Sequence, residues 1–266
     1  MANDHYISRF LTKPWEIDQR VLRYYDFETH QFGERSSESL FAKDGLHLAE
    51  TGKLLNQFVE TPISQYRASV LTNGPGSSLV PSNEWKLYRA LAALTFLHAL
   101  REPDSAHKGT VTLDRMLSPG EAIVDELGRK ASEGFDLIGV TTPSREQLLF
   151  SERMIFPIPI VGTKPILAFP LTPSHFIGLA EKKFPESELR QWMATEGALS
   201  AFSTGANEPR RVVLTPSWAA HSRSDPKSVE GVLVLFQSNA HSLFNLVGQA
   251  CLLSGLPAFS VSGRGH

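Results

Sequence analysis

A single cysteine, Cys251, stands in 266 residues, so no disulfide can form within the chain and a fold stapled by disulfides is excluded. Zinc sites built on cysteine pairs go with it. Long apolar runs are missing too, and crossing a bilayer takes about 20 mostly apolar residues in a row. The longest stretch without Asp, Glu, Lys or Arg, residues 231–263, is interrupted by Gln237, Asn239, His241, Asn245 and Gln249. It reads as the buried centre of a soluble fold, with no membrane partner. Charge of one sign is also scarce: 26 Lys and Arg against 28 Asp and Glu leave a formal net charge of −2. An extended footprint on nucleic-acid phosphates normally needs a basic chain, although a local basic pocket is compatible with this balance. Asp4, His5 and Arg9 occupy the opening where a signal peptide would be apolar. Together with the lone cysteine, this leads to an expected cytoplasmic location.

Several catalytic signatures are absent as well. The sequence holds no G-x-S-x-G elbow, no H-E-x-x-H and no dinucleotide fingerprint. The glycine-bearing stretch TNGPGSSLVP (residues 72–81) lacks the spacing and the lysine of a phosphate loop and reads as a turn.

What is present is ordinary globular composition, 41% hydrophobic and 20% charged, enough for a packed core. The residues from Val21 to Asp26 read as a strand, the first arm of a hairpin turning at Gly33. From Ala49 to Leu71, apolar residues (Leu54, Phe58, Ile63, Tyr66, Val70) recur at helical spacing, with Pro62 kinking or dividing the helix. The stretch EWKLYRALAALTFLHALREPD is the clearest helix, capped by Ser82, with Leu87, Leu91, Leu94 and Leu97 on its apolar face. A polar loop from Pro103 to Arg115 follows. The next helix is signalled by Ser118 as N-cap, Pro119 in the first turn and Glu121 completing a capping box, with Gly134 beyond its end. Later come short apolar runs, DLIGVTT, EQLLF, PILAFPL, HFIGLA, RRVVL and GVLVLF, all read as strands. A helix over SELRQWMATEGALSAF and another from Asn239 to Leu253 complete the reading. The expected fold class is α+β, a helix-rich first half packed on a strand-rich second half. One domain over residues 1–266 is expected, with a soft division near 103–118.

The chain opens with DHYISRFL. His5-Tyr6-Ile7-Ser8-Arg9-Phe10-Leu11 resembles the His-Tyr-x-Pro-Arg-Phe opening of the bacterial and fungal family called domain of unknown function 4238, with Ser8 where that family carries proline. Further marks are similar: Glu60 in the helix after the hairpin, Leu100-Arg101-Glu102-Pro103, Leu149-Phe150-Ser151-Glu152 and Pro170-Leu171-Thr172-Pro173. The resemblance covers about two thirds of the chain. It implies candidate residues and no reaction, since the family has no agreed activity.

Those residues are His5, Tyr6, Arg9, Glu60, Arg101 and Glu152. Two guanidiniums can clamp a phosphate or carboxylate bidentately. A histidine can serve as general acid or base, and carboxylates can orient it, activate water or hold a divalent metal. On the first reading, His5 and Glu152 are catalytic, with Tyr6, Arg9, Glu60 and Arg101 binding the ligand. The chain is then a hydrolase of nuclease or nucleotide type, acting on a phosphate-bearing small molecule or nucleic acid. On the second, it is a non-catalytic binding or immunity-type module. Arg9 and Arg101 then pair with Glu60 and Glu152 to fix the fold. A separate E-x-K, Glu181-Lys182-Lys183, with Glu152 upstream, fits a nuclease metal site only if the two lie on adjacent strands. His98 and His175 are left undecided between site and core, and Cys251 reads as core filler.

Overall fold

The computed structural model describes residues 7–42, 48–73, 85–101, 113–141, 148–151, 156–158, 166–182 and 211–238. The fold is α+β, with helices packed on two small antiparallel sheets. Strand β1 (Val21–Asp26) takes the limits its Tyr-rich pattern predicts and pairs with β2 (Gln31–Ser36). The hairpin does not turn at Gly33. The turn is Phe27–His30, where the Asp26 carboxylate accepts the backbone N–H groups of Glu28 (3.0 Å) and Thr29 (3.1 Å). Gly33 lies inside β2 opposite Tyr24, and a Cβ there would meet the Tyr24 ring at 2.4 Å. Glycine is present because an aromatic side chain fills its side-chain space.

The first helical layer begins with α1 (Arg9–Thr12), a short helix followed by one 3-10 turn (Lys13–Trp15). Helix α2 (Ala49–Leu55) leads through a widened π turn (Asn56–Glu60) into α3 (Thr61–Asn73). That turn sits directly ahead of Pro62, whose ring cannot follow a regular helical turn and which has no N–H to give. The buried face runs through Thr51, Leu55, Val59, Ile63 and Arg67, a four-residue repeat. Against 3.6 residues per turn such a stripe drifts around the rod, and the wider turn takes up part of the drift.

Helix α4 (Trp85–Arg101) buries Leu87, Leu91, Leu94 and Leu97, as its leucine pattern predicts. The short α5 (Leu113–Leu117) replaces the end of the expected polar loop, and its Asp114 accepts the Leu48 N–H (2.9 Å) and the Thr51 hydroxyl at the start of α2. Helix α6 (Glu121–Gly134) begins at Gly120, whose φ of 65° only glycine adopts readily. Ser118 is not its cap: the Ser118 hydroxyl donates to the Arg115 carbonyl and closes α5 instead. Glu121 turns to Arg89 at 2.7 Å rather than back to a capping box. At Gly128, α6 comes so close to α4 that a Cβ would stand 2.6 Å from Arg89 Cβ.

Strands β3 (Phe135–Thr141), β4 (Phe150–Ser151), β5 (Phe156–Ile158), β6 (Ile166–Thr172), β7 (His175–Glu181) and β8 (Arg211–Val213) follow. One sheet has the order β2-β1-β8-β4 and the other β3-β7-β6-β5. The first is closed by chain from both ends of the sequence, since Tyr24–Asp26 pair with Arg211–Val213. The expected strand GVLVLF is wrong. It lies in α8 (Pro226–Ser238), which follows α7 (Pro216–Ser224). Asp225 starts α8 by accepting the Ser228 N–H and hydroxyl (3.2 and 2.6 Å), and Pro226 occupies its first turn. Val229, Val232 and Leu233 then face inward at helical spacing. The expected helices over SELRQWMATEGALSAF and from Asn239 onward, the Ser82 cap and Cys251 lie outside the described residues. No described helix is long and apolar enough to cross a membrane.

The core is continuous across these pieces. It joins Ile7, Leu11 and Trp15 to Leu55, Val59 and Ile63, to the leucines of α4, and to Phe150, Phe169, Ile177 and Val213 of the sheets.

Candidate functional site

The opening segment folds back onto the helices. Ile7, Leu11 and Trp15 recur every four residues and are 0%, 2% and 0% exposed, so three anchors on one face enter the core. The Trp15 indole N–H donates to the Leu148 carbonyl at 2.7 Å, satisfying the polar atom of a fully buried ring. Ser8 precedes α1 with φ −63° and ψ 136°. Those angles suit the proline that the resemblance leads one to expect, but serine adds a hydroxyl, and that hydroxyl donates to Glu60 Oε1.

Arg9 points elsewhere. Its Nη1 donates to Glu38 Oε1 at 3.0 Å, and its Nε lies 3.9 Å from Glu16. Arg20 reaches the same Glu38 oxygen at 3.0 Å. The expected pairing of Arg9 with Glu60 or Glu152 is therefore replaced by one with Glu38, just past β2. Both partners are partly exposed, and such pairs contribute about 0–1 kcal/mol.

Of the six candidate residues, Arg9 and Glu60 are described in full. Arg101 ends α4, with only its backbone placed, and His5, Tyr6 and Glu152 lie outside the described residues. The nuclease-like pairing of Glu152 with the E-x-K involves a residue, Glu152, that lies outside the described residues. Glu181 ends β7 in one sheet, whereas β4, which leads to Glu152, belongs to the other. Lys182 continues β7 and gives its backbone N–H to the Gly134 carbonyl at 3.1 Å. His175 opens β7 and is 5% exposed; burial lowers its pKa, so the core favours its neutral form. Among the described residues, no group of three or more His, Cys, Asp or Glu side chains is placed to hold a metal ion.

Sequence reasoning missed Arg67. It sits on the buried stripe of α3, four residues after Ile63, and is 9% exposed. Its Nη1 donates to the Phe10 carbonyl, and its guanidinium lies over the Phe10 ring, 5.5 Å from the centroid. No carboxylate among the described residues is within ion-pairing distance of it. Desolvation lowers its pKa, and no opposing charge among the described residues raises it again. Arg89 on α4 is a useful contrast. It is 8% exposed but bonded to Glu121 (2.7 Å) and Asp125 (2.5 Å). Burial alone would lower its pKa; the two carboxylates outweigh burial and raise it. The signal for Arg67 was in the sequence, a lone cation continuing the stripe Leu55, Val59, Ile63, but the stripe becomes visible only once the π turn resets the helical face.

A second polar cluster ties the hairpin to the C-terminal helices. Burial works to raise the Asp26 pKa, but bonds from Arg211 (3.0 Å) and the Thr29 and Glu28 N–H groups outweigh it and hold the carboxyl below its usual range. Glu34 is lowered chiefly by Arg223 and further by Arg23. The Tyr25 hydroxyl donates to Glu230 on α8 at 2.8 Å, and burial followed by that carboxylate raises its pKa. Each group is engaged by a partner from a distant part of the chain, which is how a structural network behaves. A search of protein-family models, curated proteins and solved structures finds no match to this chain.

Proposed function

We propose that this chain is a non-catalytic binding module in which the residues of the opening motif act as a structural clasp. The observation that supports this is the use already made of Arg9 and Glu60. Arg9 is bonded to Glu38, and Glu60 accepts the Ser8 hydroxyl. An arginine meant to clamp a phosphate has to offer its fork to the ligand, and Arg9 turns part of that fork toward its own hairpin. The lone cysteine fits a reducing cytoplasm, and the net charge of −2 favours a small phosphate-bearing ligand over nucleic acid.

The test pairs stability with turnover. Arg9→Met and Glu60→Gln should lower Tm modestly, and the unaltered chain should hydrolyse neither a nucleotide nor a phosphodiester, with or without Mg²⁺. Turnover that disappears in Arg9→Met while Tm stays unchanged would restore the hydrolase reading.

A further inference from the structure

We infer that Arg67 is an oxyanion-binding site, built from the buried stripe of α3 and the carbonyl edge of α1, that takes the phosphate of a small molecule. The inference rests on the binding-module reading and names the ligand chemistry of that module.

Burying a guanidinium costs free energy unless an opposite charge accompanies it. Arg89 meets that requirement with two carboxylates. Arg67 is buried to the same extent, yet its hydrogen bond among the described residues goes to a neutral carbonyl, and a ring face covers part of the cation. A carbonyl and a ring face offset part of the desolvation and leave the net charge in place. An anion arriving from outside would supply the remainder.

The geometry suits such a guest. One nitrogen is fixed by Phe10, which orients the planar fork, and none of the Arg67 nitrogens is sealed without a partner. The edge not used by Phe10 therefore still meets solvent. The fork matches the spacing of two oxygens on a phosphate or carboxylate. Glu60, the nearest acid along the same rod, lies seven residues away, about 10 Å of helical rise, and is held by Ser8. With Arg67 only 9% exposed as a residue, a duplex backbone is too bulky a guest, which leaves a small headgroup as the ligand class.

The test is calorimetric titration of the full chain with inorganic phosphate at constant ionic strength, with acetate as a second arm. One phosphate per chain is expected to bind, with affinity falling roughly 10–100-fold in Arg67→Met, the loss of charged hydrogen bonds. In parallel, phenylglyoxal modification of the unaltered chain is read by mass spectrometry. Phosphate should slow modification at Arg67 and leave the exposed Arg20 unchanged. Protection by either anion supports the site, and the tighter anion identifies the headgroup. If Arg67→Met does not fold, Arg67→Lys and the footprint on the unaltered chain decide. Absence of binding, binding that survives loss of the guanidinium, or protection of Arg9 in place of Arg67 would overturn the inference. So would a single-stranded oligonucleotide that binds through Arg67 more tightly than phosphate. The two readings fail separately: phosphodiester turnover removes the module reading, whereas an unprotected Arg67 removes only this site.

Discussion

Two regions of the helical half bury an arginine to nearly the same depth and treat it in opposite ways. Where α4 crosses α6, Arg89 is neutralised by Glu121 and Asp125 and packs over Phe58, with Gly128 letting the helices close. Where α1 lies on α3, Arg67 has a carbonyl and a ring face. The first arrangement is balanced in charge within the chain, although Arg89 Nε is buried with no hydrogen-bond partner among the described residues. The second has no counter-charge among the described residues, although its apolar anchors are as well buried as any in the core. Packing and charge balance are thus separate achievements, and a region can be finished in one while awaiting something in the other.

Substitutions can break this contrast or sharpen it. The largest effect should come from Trp15→Ala, which leaves a cavity under the clasp and strands the Leu148 carbonyl. A loss of about 3–5 kcal/mol is expected by denaturant unfolding, and a loss below about 1 kcal/mol would mean the clasp is not part of the cooperative core. Gly128→Ala comes next. Its added methyl would meet Arg89 at Cβ and at backbone Cα, so about 1–3 kcal/mol should be lost, with α6 displaced from α4 in hydrogen exchange. Arg89→Met should cost about 1–2 kcal/mol, limited because its half-exposed carboxylates can turn to water. Arg67→Met should change stability least, within about 1 kcal/mol of zero in phosphate-free buffer, since an apolar side chain replaces a buried cation without a counter-ion among the described residues. A loss comparable to that of Trp15→Ala would show that Arg67 is structural.

Acid offers a separate check. The folded-state pKa of His175 is depressed by burial, so unfolded chain binds more protons as pH falls below about 6.5. Stability should decline there, and His175→Gln should flatten that part of the profile. Asp26 is held below its usual value, so its contribution is present above about pH 4 and lost as pH falls through the folded-state pKa. Asp26→Asn should remove that lower step.

How much of this was legible depends on how local the signal is. The limits of β1 and the buried face of α4 follow from short-range pattern, Tyr-rich alternation in one and leucine spacing in the other. GVLVLF misleads because a valine-rich run suits either element; the deciding residues, Asp225 and Pro226, lie before it. Ser118 misleads because one hydroxyl can close a preceding helix as readily as open the next. Arg9 and Glu60 were recognisable as polar residues of consequence, but their partners, Glu38 and Ser8, lie 29 and 52 residues away. Sequence spacing carries no record of such pairings.

The joining of distant parts of the chain also sets an order of assembly. Trp15 needs a carbonyl 133 residues later, and Asp26 needs an arginine 185 residues later. During synthesis α4 and α6 can pair before either of these two partners has been made. Contacts of such sequence separation form slowly. The Trp15 and Asp26 bonds are therefore among the last to be locked, and until then the Trp15 indole N–H lacks the carbonyl that satisfies it in the folded chain.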